Sequence, residues 1–200
     1  MRKATRIGLA LMMALVLAGS AAAAGTGRYE WRISFSNTDP NVQTAPNPAG
    51  LATLYLWYQG CNSVAAGPGM SASDFAVKVS GAWTYVGFNP DATSGFLNAG
   101  SGPNLLLAVG GCPSASELAG SITIFTAGDG AARLGLSNNN IAVVVDCTSP
   151  TPDPWSWPAD VLFVGAKSNG FAGAQQAWGN GCTVDPVDAA TWGGIKAIYR

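Results

Sequence analysis

The sequence predicts an all-β fold, an antiparallel β-sandwich of the immunoglobulin or jelly-roll type. Three observations lead to this prediction. Short runs rich in β-branched and aromatic residues recur along the chain, Gly, Pro, Asn or Ser bound each run, and no internal segment keeps a helical period for three turns. Short strands spaced in this way are typical of sandwiches and barrels. A short C-terminal tail, helical or extended, is expected to follow the sandwich.

About nine segments carry the strand pattern. Residues 29–35 and 74–79 alternate apolar and polar side chains with a period of two, as half-buried strands do. The predicted strands are 29–35, 51–58, 74–79, 83–88, 104–109, 121–126, 132–136, 141–146 and 161–166. Two proline-rich segments interrupt them. We expect a loop or extended edge over 38–50, and over 148–158 a rigid crossover within one domain rather than a linker to a C-terminal extension.

The N-terminus has the three-part layout of a secretory signal peptide. A basic stretch with Arg2, Lys3 and Arg6 precedes an apolar run, 7–18, and small residues, 19–24. The apolar run is shorter than the roughly 20 residues that span a bilayer. We therefore expect cleavage after Ala24 and a secreted, periplasmic or cell-envelope protein without a membrane span. The expected domains are the signal peptide (1–24), the sandwich (25–185) and the tail (186–200).

The charged and titratable residues exclude several function classes. Residues 25–200 hold seven basic and eleven acidic residues, a net charge of −4, so we expect no binding of nucleic acid. The absence of histidine excludes the Ser-His-Asp triad, the Cys-His dyad and histidine-ligated zinc. We therefore expect no enzyme, no catalytic residue and no cofactor.

The acidic residues that remain fit structural roles better than chemical ones. The only two glutamates are Glu30, expected to face solvent from a strand, and Glu117, expected in a turn. Asp91, Asp129 and the run Asn138–Asn140 have oxygen ligands that suit calcium. The same residue types are ordinary turn formers, which is the interpretation we favour, and no metal site is expected.

Four cysteines in an exported chain predict disulfide bonds. The candidates are Cys61, Cys112, Cys147 and Cys182, and none forms a C-x-x-C pair of the kind that binds metal or shuttles electrons. Sequence alone does not choose among the three pairings. Our working expectation is Cys61 with Cys112 and Cys147 with Cys182.

Two further features suggest binding surfaces. Trp155 and Trp157 stand in a proline-rich segment that could hold their rings outward as a platform for a sugar, whereas core packing is the alternative. In the tail, Asp188 is a suitable N-cap, and apolar residues recur at spacings of three and four before two basic residues. The tail either docks on its own sandwich or is read by an export, sorting or anchoring partner. Its candidate docking residues are Trp192, Ile195, Lys196, Tyr199 and Arg200.

Over residues 51–147 the order of features resembles a cohesin-like β-sandwich. The strand TLYLWYQG precedes GMSASDFAVKVSG, then come WTYVGFNP, which ends in Asn-Pro, NLLLAVGG and ELAGSITIFTAG. The resemblance implies a sandwich that acts as a non-enzymatic binding module, as cohesin modules do when they bind dockerins. The cysteines and the C-terminal segment fall outside this pattern and put a dockerin partner in doubt.

These observations predict an exported, non-enzymatic module for protein–protein contact or for extracellular or envelope structure, with a protein partner still unidentified. A first alternative is a carbohydrate-binding module that binds a glycan through Trp155 and Trp157. A second is a hydrolase that uses Asp or Glu side chains.

Overall fold

The computed structural model describes residues 29–60, 69–113, 116–147, 154–156, 161–173 and 177–179. Within these ranges the chain forms twelve β-strands and no helix, and so no helix that could cross a membrane. The strands are β1 (Tyr29–Ser34), β2 (Thr44–Ala45), β3 (Gly50–Gly60), β4 (Met70–Pro90), β5 (Phe96–Asn98), β6 (Asn104–Val109), β7 (Glu117–Gly135), β8 (Val143–Asp146), β9 (Pro154–Ser156), β10 (Val161–Val164), β11 (Ala166–Ser168) and β12 (Ala177–Gly179).

The strands build a β-sandwich whose two layers share the long strands β4 and β7. Sheet A has the order β12–β10–β1–β3–β7–β4 and uses the first part of β7 and the last part of β4. Sheet B contains β5, β6, the first part of β4, β8 and β9. The last part of β7 pairs with the first part of β4 and with β11, and β11 in turn pairs with β2. The predicted all-β sandwich is confirmed.

The two long strands pass from one sheet to the other at a pair of glycines. Gly81 of β4 lies opposite Gly130 of β7, and the register of β4 shifts just after this point. Gly81 has φ +71°, and a Cβ on it would lie 2.5 Å from the Asp129 carbonyl oxygen. A Cβ on Gly130 would lie 2.5 Å from the Trp83 ring. Glycine is therefore needed on both strands where they bend together.

This bend corrects the predicted strand boundaries. Segments 74–79 and 83–88 belong to one strand, β4, and segments 121–126 and 132–136 belong to β7. Glycines that predict turns in the sequence are here bends inside continuous strands. Two pairings, β1 with β10 and β2 with β11, are parallel, so the sheets are mixed rather than purely antiparallel.

Aromatic rings from both sheets form the centre of the core. Trp31 of β1 contacts Phe75 of β4 with ring centroids 5.0 Å apart, and Phe75 also contacts Phe163 of β10 at 5.7 Å. Trp31, Phe75 and Phe163 are fully buried. Because the partners come from opposite layers, these tilted and edge contacts fasten sheet A to sheet B, each by about 0.5–1.5 kcal/mol beyond burial.

A disulfide joins Cys112 to Cys147, with their Cα atoms 6.0 Å apart. The expected pairing of Cys61 with Cys112 and Cys147 with Cys182 is therefore wrong. Cys112 follows β6 and Cys147 follows β8, and these strands pair with opposite edges of the first part of β4. The bond spans β4 and fastens both of its neighbours in sheet B.

Candidate functional site

Segment 35–43 covers part of the outer face of sheet A. Strand alternation places Glu30, Arg32 and Ser34 of β1 on that face, because Tyr29, Trp31 and Ile33 point into the core. Arg32 Nη1 donates to Asn41 Oδ1 at 3.0 Å, and Ser34 Oγ donates to the Asp39 carbonyl oxygen at 2.6 Å. Trp57 of β3 donates from Nε1 to the carbonyl oxygen of Ser36 at 3.0 Å.

The carboxylate of Glu30 is buried on this face of the sheet. Glu30 is buried and accepts a hydrogen bond from Arg32 Nε at 2.8 Å, so its expected position facing solvent is wrong. The Arg32 guanidinium lies directly against this carboxylate. In the described structure Glu30 forms an ion pair with Arg32.

The other part of the face carries an uncovered apolar strip. Leu51 of β3 lies directly opposite Phe125 of β7, and their side chains are 70% and 46% exposed. Val86, at a bulge in the neighbouring strand β4, is 54% exposed. The residues that share this part of the face are Thr53, Thr84 and Thr123, all uncharged. Leu51, Phe125 and Val86 are called the apolar strip below.

Sheet B has a polar pocket at one end of its outer face. Asp74 of β4 lies between Leu106 of β6 and Val143 of β8, and its side chain points outward because the next residue, Phe75, points into the core. The pocket has a volume of about 290 Å³. It is called the Asp74 pocket, and its lining residues are Asp74, Ala99, Gly100, Ser101, Asn104, Leu105, Leu106, Ser137, Asn138 and Asn139.

Hydrogen bonds hold both walls of the Asp74 pocket. On the β5–β6 side, Asn98 Oδ1 accepts from the backbone N–H groups of Gly100 and Leu106 at 3.0 and 3.1 Å. On the β7–β8 side, Asn138 N–H donates to Asn104 Oδ1 at 2.8 Å and so ties that loop to β6. The pocket is therefore preformed by the fold.

One buried hydroxyl at the Asp74 pocket lacks a partner. Ser137 is 6% exposed, and within the described residues its Oγ has no hydrogen-bond partner. Its backbone is satisfied, since Ser137 N–H donates to the Ile141 carbonyl oxygen and Asn140 N–H donates to the Ser137 carbonyl oxygen. A buried polar group without a partner costs about 1–3 kcal/mol and calls for a physical reason.

A second pocket, of about 300 Å³, lies near the turn between β4 and β5. Thr93, Ser94 and Glu117 line it together with glycines. Glu117 is the first residue of β7 rather than a turn residue, which corrects that expectation.

The pKa of Asp91 is lowered by hydrogen bonds to its carboxylate. The largest contribution is the bond from Thr93 Oγ1, and the backbone N–H groups of Thr93 and Ser94 add to it.

The aspartates considered for calcium lie apart in structural roles. Asp91 closes the β4–β5 turn, and Asp129 accepts a hydrogen bond from Ser168 Oγ at 2.9 Å beside the bend of β7. Among the described residues, no group of three or more acidic or cysteine side chains is placed to hold a metal ion. The Asn138–Asn140 run forms part of the β7–β8 loop, and two of its members line the Asp74 pocket.

The two tryptophans of the predicted platform are only partly described. The segment predicted as a crossover contains strand β9, which pairs with β8 and places Trp155 opposite Val144. Trp157 lies outside the described residues, as do Cys61, Cys182, the predicted signal peptide and the tail residues Trp192, Ile195, Lys196, Tyr199 and Arg200.

Sequence reasoning missed the two surface sites themselves. Asp74, Asn104 and Ser137 stand far apart in the chain, and no motif joins them. The one available signal was the Asn138–Asn140 run, which predicted a turn but not what the turn faces. Leu51 and Phe125 likewise belong to separate strands, and only the pairing of β3 with β7 makes them neighbours.

The fold is similar to that of cohesin modules. The seventh ScaB type I cohesin from Pseudobacteroides cellulosolvens matches with a TM-score of 0.46 and 11% identity, over 74% of this chain and 97% of that one. The cohesin module of a family 33 glycoside hydrolase from Clostridium perfringens matches with a TM-score of 0.46 and 12% identity, over 72% and 98%. The third ScaB cohesin of R. flavefaciens, solved in complex with a group 1 dockerin, matches with a TM-score of 0.45 and 8% identity, over 71% and 95%.

No family model and no curated protein matches the chain. The solved structures that match are cohesin modules, with TM-scores of 0.45–0.46. At 8–12% identity this similarity assigns neither a partner nor an activity to this chain.

Proposed function

We propose that this protein is a non-enzymatic, exported module that contacts another protein through the apolar strip of sheet A. The observation that carries the proposal is the direct pairing of two exposed residues, Leu51 and Phe125, on the part of the face that segment 35–43 leaves uncovered. Val86 extends the strip onto the last part of β4.

The composition of the strip supports a protein partner. Exposed apolar side chains that lie together mark interaction sites more often than scattered ones do. The neighbours of the strip are threonines without charge, and the centres of protein interfaces are depleted in charged residues. A few residues carry most of the binding free energy at an interface. Aromatic residues such as Phe125 are enriched there.

Site-specific crosslinking tests the proposal. A photoreactive benzoylphenylalanine in place of Phe125 is expected to form one discrete adduct in the native extracellular fraction, and the same group at Thr38, exposed in the cover segment, is not. Excess wild-type protein should compete for the adduct, whereas the Leu51→Asp variant should compete at least about ten-fold less well, which corresponds to about 1.4 kcal/mol.

Two outcomes contradict the proposal. Equal competition by the wild-type protein and the Leu51→Asp variant would show that the strip is not the contact. An adduct made only of two copies of this chain would replace the separate partner by self-association. Because Leu51 is exposed, its substitution by Asp should leave the thermal unfolding midpoint nearly unchanged, which separates lost contact from lost fold.

A further inference from the structure

We propose that the Asp74 pocket of sheet B binds a neutral sugar residue. The proposal concerns a different face from the apolar strip and does not depend on it. It starts from the chemistry of the lining, which combines one carboxylate, several side-chain amides, the Ser101 hydroxyl and one exposed leucine in a preformed pocket.

The lining presents both hydrogen-bond donors and acceptors. The Asp74 carboxylate only accepts, whereas the amides of Asn138 and Asn139 and the Ser101 hydroxyl both donate and accept. A metal ion takes acceptors alone, and a lysine ammonium only donates, so either would leave the amide N–H groups unused. Sugar hydroxyls donate and accept from the same atom, and they match the whole set.

The charge and the apolar component of the pocket narrow the class of sugar. Asp74 is the only charged residue among the lining residues, so a sugar that carries a carboxylate or sulfate would meet repulsion without a compensating cation. Leu106, which is exposed, gives the pocket one apolar surface for the C–H face of a sugar ring. These two features favour a neutral hexose or N-acetylhexosamine.

The Ser137 hydroxyl is not among the groups that a ligand can reach. It is buried at the pocket and has no hydrogen-bond partner within the described residues, although the backbone of Ser137 is fully bonded into the β7–β8 loop. Since this Oγ exposes less than 1 Å² of surface, the polar contacts open to a ligand are those of Asp74, Ser101, Asn138 and Asn139.

The walls keep their shape without the ligand. The Asn98 contacts fix the β5–β6 loop, and the bond from Asn138 N–H to Asn104 Oδ1 fixes the opposite loop. A preformed site loses little conformational entropy on binding, which matters for a small and weakly held ligand. The pocket volume, about 290 Å³, is at the lower end of the range for ligand pockets and suits a single sugar residue.

A binding screen on the full exported protein tests the inference. Neutral and acidic glycans on an array, followed by calorimetry with each hit, are expected to give binding of neutral glycans. Asp74→Ala should weaken the binding at least about ten-fold, because a hydrogen bond to a charged group contributes about 1.5–3 kcal/mol. Asp74→Asn keeps the shape of the side chain and should weaken it several-fold.

The matched control is Asp91→Ala, which removes an aspartate from a turn outside the Asp74 pocket and should bind like the wild type. Asp74→Asn also guards against a folding defect, since its thermal midpoint can be compared directly with that of the wild type. Calcium chloride alone and a lysine-rich peptide serve as the competing ligands in separate titrations.

Each outcome decides the inference. Neutral-glycan binding that both Asp74 variants weaken, and Asp91→Ala does not, supports it. Absence of any glycan binding up to millimolar concentration overturns it, as does binding of calcium or of the lysine-rich peptide alone. Glycan binding that the Asp74 variants leave unchanged also overturns it and moves the site elsewhere, with Trp155 and Trp157 the next residues to substitute.

Discussion

The two sheets of the sandwich have unlike outer faces. Segment 35–43 packs on one part of sheet A, and another part carries the uncharged strip around Leu51 and Phe125. Sheet B carries an acidic and amide-lined pocket at Asp74, held between two loops. Both faces arise from the same alternation of side chains along strands. Their different chemistry shows that cross-strand neighbours and overlying loops decide what each face can bind.

The largest effect is expected from removal of the disulfide, which should loosen sheet B alone. Replacing Cys112 and Cys147 by Ala opens a loop of 35 residues and should lower the free energy of unfolding by about 3–4 kcal/mol. Hydrogen exchange should accelerate in β6 and β8 before it does in β1 and β3. Equal acceleration in all four strands would show that the sheets do not differ in this respect.

The next largest effect is expected at the bend that joins the faces. Gly81→Ala places a Cβ against the Asp129 carbonyl oxygen at a positive φ and should cost about 2–4 kcal/mol, measured by denaturant unfolding. Gly87→Ala is the matched control in the same strand, since nothing lies within 4 Å of its Cβ position. We expect this control to keep or slightly raise the stability.

Two substitutions that each remove one hydrogen-bond donor should affect the two faces separately. Trp57→Phe removes the bond to the Ser36 carbonyl oxygen and should cost about 1–2 kcal/mol, with faster exchange confined to segment 36–43. Tyr85→Phe removes the bond from Tyr85 Oη to the Gly102 carbonyl oxygen, 2.7 Å long, and should cost about 1 kcal/mol. Its faster exchange should appear in the loop beside the Asp74 pocket. Faster hydrogen exchange in the same segment for both variants would contradict the prediction that the two effects are separate.

Burial raises the pKa of Tyr85. The direction of this shift sets the pH range over which Tyr85→Phe should lower the stability. The hydroxyl donates while it is protonated, so its contribution is complete below the ordinary tyrosine pKa of about 10. That contribution disappears as the pH rises through the raised value. The difference in stability between wild type and Tyr85→Phe should therefore be constant from neutral pH to about pH 9.

The smallest effect is expected at the turn that leads from β4 to β5, between the two faces. The lowered pKa of Asp91 means that its contribution is complete above the ordinary aspartate pKa of about 4 and declines as the pH falls through the lowered value. Asp91→Ala should cost less than about 1 kcal/mol at pH 7 and a smaller amount at pH 2. A cost that stays the same at both pH values would contradict this assignment.

The sequence was sufficient for the strand content and for much of the core. Alternation in 29–35 correctly predicts that Trp31 and Ile33 share one face, because strand geometry fixes this locally. It was wrong about the turns at Gly81 and Gly130, since a glycine can end a strand or bend it. The burial of Glu30 was also not predicted, because strand alternation places its side chain on the outer face and does not record what packs there.

The sequence by itself determined an all-β chain of short apolar runs, without histidine and with little charge, because residue type and local periodicity carry that information. Only the tertiary structure paired Cys112 with Cys147, placed Leu51 against Phe125, and brought Asp74, Asn104 and Ser137 to one pocket. These contacts join residues from different strands and loops. Their partners are set by register and by the shared bend of β4 and β7, and no local pattern records either.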